Sequence, residues 1–142
     1  MDILVALILE RIAHTVSDYG LQNGWMAFNK VNRWFPAIVH GCFYVLGFVL
    51  VAIFFYWLGI EAGRAIVSDG ALLLLQWKAL LVIGVTHTAI DRLSLASQWY
   101  RFYNGYTGLR LDELEPWQKA VCLQIDQGMH HFINVASLIW FS

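Results

Sequence analysis

Residues 37–60 form an apolar run without Asp, Glu, Lys or Arg, with His40 as its one histidine. The run exceeds the roughly 20 residues that a helix needs to cross the hydrocarbon of a bilayer. In water a helix apolar on all sides needs packing partners on every face, and 142 residues leave little chain to provide them. Composition points to lipid instead. Hydrophobic residues make up 59% and charged residues 13%, against about 25% charged in soluble domains, and the mean hydropathy is +0.58.

Three further segments are long enough to pair with this one but carry polar side chains. Residues 71–90 contain Lys78, and residues 121–141 contain Asp126, His130 and His131. Residues 3–21 contain Glu10, Arg11, His14 and Asp18, which must face protein or water if the segment inserts. The predicted fold is therefore all-α, a single-domain integral membrane bundle of about four transmembrane helices. Pro36 and Pro116 stand where helix starts are expected, because proline lacks the amide hydrogen that a first turn leaves unused. The N-terminus lacks a basic region and a small-residue cleavage site, so it reads as retained structure.

Lys30 and Arg33 lie in the first connection and Arg92, Arg101, Arg110 and Lys119 in the third, whereas the second carries only Arg64 beside Glu61 and Asp69. By the positive-inside rule the first and third connections are cytoplasmic. Trp99, Tyr100, Phe102, Tyr103 and Tyr106 in the third connection suit the membrane interface. A net charge of −1 gives no basic surplus for nucleic acid, so none is expected as a partner. Cys42 and Cys122 sit in apolar runs and read as small hydrophobes.

In an up-down-up-down bundle, His14 and Asp18 late in the first helix, His40 early in the second, His87 and Asp91 late in the third, and Asp126, His130 and His131 early in the fourth all fall toward the cytoplasmic end. His14 and Asp18, His87 and Asp91, and Asp126 and His130 are each four residues apart, so each pair shares a helical face. One such pair is ordinarily structural. Three at one depth, joined by His40, point to a metal or proton-handling site, since bundle metal centres are built from such pairs on facing helices. The donors suit zinc, iron or manganese. They allow one divalent metal with a base and supporting groups, or two metals.

The pattern His-Thr-x-x-Asp occurs twice, at 14–18 and 87–91, and each copy is followed by a tryptophan, Trp25 and Trp99. Glu10 and Lys78 are expected at similar depth and to pair, with outward snorkelling of Lys78 the alternative. Gly41, Gly47, Gly59, Gly63 and Gly84 read as close-packing points between helices, and Ser17 as a packing or hydrogen-bonding residue.

His14-x-x-x-Asp18 followed by Gln22, Trp25 and Lys30, then His40, His87-x-x-x-Asp91 and Asp126-Gln127-x-x-His130, resembles small bacterial and phage membrane proteins catalogued as a domain of unknown function. The resemblance covers nearly the whole chain and implies location in a bacterial inner membrane. It also implies a lysine three residues after the second aspartate, where this chain has Ser94.

The leading expectation is a metal-dependent hydrolase acting on a lipid or amphipathic substrate. His14, His87 and His130 are its leading ligands, and Asp18, Asp91 and Asp126 are ligands, orienting groups or the general base. The alternatives are a proton- or ion-coupled transporter, with Glu10, Arg11 and Lys78 lining the path, and a non-catalytic membrane regulator. Beyond the bilayer and a lipid, a homo-oligomer is the remaining partner that so small a bundle suggests.

Overall fold

A computed structural model describes residues 3–105 and 113–142. Among the described residues the chain is all-helical, with seven α-helices and one π-helical turn and no strand. In order these are α1 (Ile3–Thr15), the π turn (Val16–Gly20), α2 (Gly24–Asn29), α3 (Trp34–Glu61), α4 (Ala65–Leu73), α5 (Trp77–Leu93), α6 (Leu95–Tyr103) and α7 (Pro116–Trp140). Helices α1, α3, α5 and α7 close a ring in which each packs on the next, and α4 fills the far end against α1 and α3.

Both prolines lie in first turns. Pro116 opens α7 behind a capping box in which Glu115 and Gln118 satisfy each other's backbone amides, and Pro36 is the third residue of α3. The apolar run 37–60 lies within α3, which is long and apolar enough to span a bilayer. The expected third span, 71–90, is broken between Leu73 and Trp77, and α4 and α5 meet there at a bend of 53°. By length and composition one described helix qualifies as a span, or two if the bent pair counts as one, rather than four. Helix α1 falls short because regular α geometry ends after 13 residues. Helix α7 falls short because Asp, His, Gln and Asn side chains dilute its apolar content.

The π turn closes with a bond from Leu21 N to Val16 O, spanning five residues in place of four. That extra residue rotates Asp18 away from the face of His14, a local device that recurs at functional sites. Close approach of α3 to its neighbours rests on small residues. A Cβ on Gly41 would collide with Thr88 of α5, one on Gly47 with Ser17 of the π turn, and one on Gly59 with the backbone of Ser68 in α4. Gly63 is not a packing point: it adopts φ +62° with open space around it and forms the turn before α4. Leu9, Ala13, Phe48, Ala52, Leu74, Ile83 and Leu138 fill the core beyond the polar layer.

The expected Glu10–Lys78 pair does not form. Glu10 is buried against α7, while Lys78 points outward with its Nζ 5.7 Å from the Trp77 ring. The segment expected at the membrane interface is in part helix α6, which buries Ala96, Ser97 and Tyr100 and exposes Trp99, Phe102 and Tyr103. Tyr106 and Arg110 lie outside the described residues.

Gly47→Ala is expected to lower stability by about 1–3 kcal/mol, because the new Cβ would lie 2.9 and 3.0 Å from Ser17 Cβ and Cα. Gly128→Ala, with nothing within 4 Å, should leave stability unchanged or raise it by up to about 1 kcal/mol. Thermal unfolding in detergent, followed by circular dichroism, separates the two.

Candidate metal centre

Three segments deliver four donors to a buried point near one end of the ring. The π turn carries Asp18, the second turn of α3 carries His40, and the last two turns of α5 carry His87 and Asp91. Each of the four residues is at most 7% exposed. His40 Nε2 lies 2.9 Å from His87 Nε2 and 3.2 Å from both Asp18 Oδ1 and Asp91 Oδ2. His87 Nε2 lies 3.3 Å from Asp91 Oδ2 and 3.9 Å from Asp18 Oδ1. A tetrahedral cation with bonds of about 2.0–2.1 Å sets its ligand atoms about 3.3 Å apart, and the five separations scatter around that value. Asp18 Oδ1 is buried without a hydrogen bond although it faces these donors. The four residues form a buried cluster with the chemistry and spacing to bind a divalent metal.

Lys30 follows α2, whose N-terminus is capped by Asn23 Oδ1 accepting from Met26 N. Its Nζ donates to Asp91 Oδ2 at 2.8 Å and lies 3.2 Å from His40 Nε2 and 3.8 Å from Asp18 Oδ1. One ammonium thus matches one of two buried carboxylates. A cleft of about 380 Å³ reaches this layer, walled by Lys30, Asp18, Asp91, Asp126, Lys119 and Gln127 among others.

Residues 3–141 match the family described as protein of unknown function, DUF3307. The chain belongs to the DUF3307 family. No curated protein and no solved structure matches it. The match spans the same ordered His and Asp motifs that the sequence presents, so in this DUF3307 protein the chemistry is read from the site itself.

The remaining sequence-selected residues fall into two neighbouring groups. His130 sits beside the centre, with Nδ1 3.0 Å from His87 Nδ1 and Nε2 3.5 Å from both Asp91 Oδ1 and Asp126 Oδ2. Asp126 is partly exposed on the cleft wall. Of the three expected leading ligands only His87 is in the four-atom group; His130 lies beside it, and His14 falls in a separate candidate group with Glu10 and His131. His14 Nε2 donates to Gln127 Oε1 at 2.6 Å and His14 Nδ1 accepts from the Tyr44 hydroxyl. The π turn explains the separation: His14 and Asp18 are joined only through Gln127, whose Nε2 donates to Asp18 Oδ2 at 3.1 Å. His131 turns further from the centre and donates from Nδ1 to Glu10 at 3.1 Å.

Tyr44, Asn134 and Glu10 belong to the polar layer though sequence reasoning gave them no part in the site. Asn134 Nδ2 donates to Glu10 Oε1 and to Tyr44 Oη, both at 2.8 Å, and the Tyr44 ring stacks on His87 at 3.6 Å. The signal was present in the four-residue spacing: Tyr44 follows His40, and Asn134 follows His130. Lys30 stood in the motif without a role.

Tyr44→Phe keeps the ring against His87 but leaves His14 Nδ1 and one Asn134 hydrogen unpaired. A loss of about 1–3 kcal/mol is expected, measured as a lower unfolding midpoint of the purified protein.

Proposed function

We propose that this protein is a membrane-embedded, metal-dependent hydrolase whose substrate is a lipid or another amphipathic molecule. The observation that carries the reading is the meeting of His40, His87, Asp18 and Asp91 at cation-binding distances inside an apolar bundle. Two carboxylates buried together are costly unless positive charge is brought to them.

Membrane embedding is supported by the outward faces. Helix α3 exposes Phe43, Leu46, Leu50, Phe54 and Trp57, and α1, α5 and α7 add Leu4, Ile8, Leu81, Val85, Leu123 and Phe132. All seven tryptophans are exposed, and all but Trp99, in the middle of the short α6, lie near a helix end. Trp25, Trp34, Trp99 and Trp117 lie toward the metal centre, and Trp57, Trp77 and Trp140 toward the opposite end. Trp34 and Trp57 on α3 are 23 residues apart, as are Trp117 and Trp140 on α7. At about 1.5 Å per residue that is about 35 Å, close to the roughly 30 Å hydrocarbon thickness bounded by aromatic belts. In this frame α1, α3, the bent α4–α5 pair and α7 cross the bilayer of a bacterial inner membrane. Lys30, Arg33, Arg92 and Arg101 set the metal centre on the cytoplasmic side.

A bound divalent cation lowers the pKa of its water toward about 7 and polarises a carbonyl or phosphoryl oxygen. Around it the chain's own groups divide the work. Asp126, partly exposed on the cleft wall, is placed to take a proton from an attacking water. The Lys30 ammonium is placed to steady negative charge on the reacting group. Beside the cleft an aromatic groove of about 440 Å³, lined by Trp99, Tyr100, Tyr103, Trp117, Val121 and Ile125, offers room for an acyl chain next to a polar head.

The short Lys30–Asp91 contact favours a second reading, in which the ammonium is the resident cation and the layer serves packing alone. Metal content separates the two. Under the hydrolase reading the protein stays in the membrane pellet after an alkaline carbonate wash. Detergent-purified, it carries stoichiometric zinc, iron or manganese by plasma mass spectrometry, and it turns over lipid esters, amides or phosphodiesters. Asp91→Asn and His87→Ala lose both metal and turnover, while Asp126→Asn keeps metal and loses turnover by about 10²–10⁴-fold. Folded wild type that stays metal-free after reconstitution would refute the reading and leave the structural one.

A further inference from the structure

Asp91 faces two ways. Its Oδ2 belongs to the four-atom centre, while its Oδ1 lies 3.5 Å from His130 Nε2, which in turn lies 3.5 Å from Asp126 Oδ2. Asp91, Asp126 and His130 thus form a further set of donors within cation-binding distance of one another, overlapping the inner one at Asp91. His130 is 1% exposed, and its Nε2 makes no hydrogen bond, so a buried ring nitrogen is aimed without a partner between two carboxylates. The set shares Asp91 with the inner centre and reaches the cleft through Asp126.

Proton placement decides whether both sets can hold a metal at once. A neutral imidazole has one N–H, and the nitrogen that binds a metal must be the other one. If His87 binds through Nε2, its proton is on Nδ1, which lies 3.0 Å from His130 Nδ1. His130 Nδ1 must then accept, which places the His130 proton on Nε2 and removes that atom as a ligand. If instead His130 binds through Nε2, its Nδ1–H donates to His87 Nδ1, and the His87 proton moves to Nε2. Occupying both sets would force two N–H groups against each other across the 3.0 Å contact.

Resting on the metal reading above, we propose that Asp91, Asp126 and His130 form an outer cation site, occupied in alternation with the inner one and never together with it. Both sets touch the cleft wall, but Asp126 is the more exposed donor there, 24% against 7% for the Asp18 side chain, so a divalent ion from the cleft binds the outer set first. It then passes inward as the shared proton moves from His130 Nδ1 to His87 Nδ1. His87 Nε2 gives up its proton to the cleft water and His130 Nε2, freed of the ion, takes one up, with no net change in protons. The centre is consequently mononuclear at saturation in spite of these two overlapping donor sets, while a third set, Glu10, His14 and His131, has both His14 nitrogens engaged by Tyr44 and Gln127.

The test is zinc titration of the detergent-purified full chain, with stoichiometry from plasma mass spectrometry after gel filtration and folding followed by circular dichroism. Wild type and Asp126→Asn are each expected to bind one zinc per chain. The double variant Asp18→Asn/His40→Gln, which disables the inner set with near-isosteric side chains, is expected to retain one zinc. Its affinity should be weaker by on the order of 10- to 100-fold. Adding Asp126→Asn to that double variant should abolish binding. In stopped flow, Asp126→Asn alone should slow zinc loading while leaving its final level unchanged. Two zinc ions per wild-type chain would overturn alternation but leave the metal reading standing, as would a folded double variant whose residual zinc ignores Asp126→Asn or is absent. Zero zinc in folded wild type would overturn both.

Discussion

Two imidazole nitrogens face each other at 2.9 Å between two buried carboxylates, and the surrounding architecture serves that contact. Left alone, such a group of donors is unfavourable in an apolar bundle, because charged oxygens lose their water and like lone pairs are pressed together. A shared cation converts the same crowding into binding. Lys30 brings one positive charge from the cleft side against the two carboxylates, so the layer has room for a further positive ion.

The helices meet closely enough for this because α3 carries glycine where its neighbours cross. Gly41 lets Thr88 of α5 approach, which holds His87 and Asp91 opposite His40. Gly47 lets the π turn lie against α3, which delivers Asp18. Behind the centre, the network of Tyr44, Asn134, Glu10, His14 and Gln127 satisfies the inner polar atoms and orients the ring stacked on His87. The apolar core closes the far side, so solvent reaches the layer from the cleft.

Much of this was legible from spacing. The four-residue pairs on α5 and α7 lie in contact, at 3.3 Å for His87 and Asp91 and 3.5 Å for Asp126 and His130, because uninterrupted α geometry keeps such residues on one face. The same rule failed for His14 and Asp18, since nothing in the sequence announces that the chain adds a residue to the turn at Val16–Gly20. That one local change left His14 outside the four-atom group, which Asp18 joins together with His40, His87 and Asp91. Hydropathy located α3 well but missed the break at 74–76, where Gln76 precedes Trp77 without any proline or glycine to mark it. The Glu10–Lys78 expectation failed for a different reason. Matching depth does not decide rotation about the helix axis, and the partners of Glu10 lie on α7.

The central claim is that one cation is held by two imidazoles and two carboxylates drawn from the π turn, α3 and α5. X-ray absorption at the metal edge of zinc-loaded, detergent-purified protein tests it directly. The account predicts four light-atom neighbours at about 2.0–2.1 Å, with outer-shell scattering from two imidazole rings that falls to one ring in His40→Gln. A shell of oxygen alone, a sulfur neighbour from Cys42 or Cys122, or a spectrum unchanged in His40→Gln would contradict it.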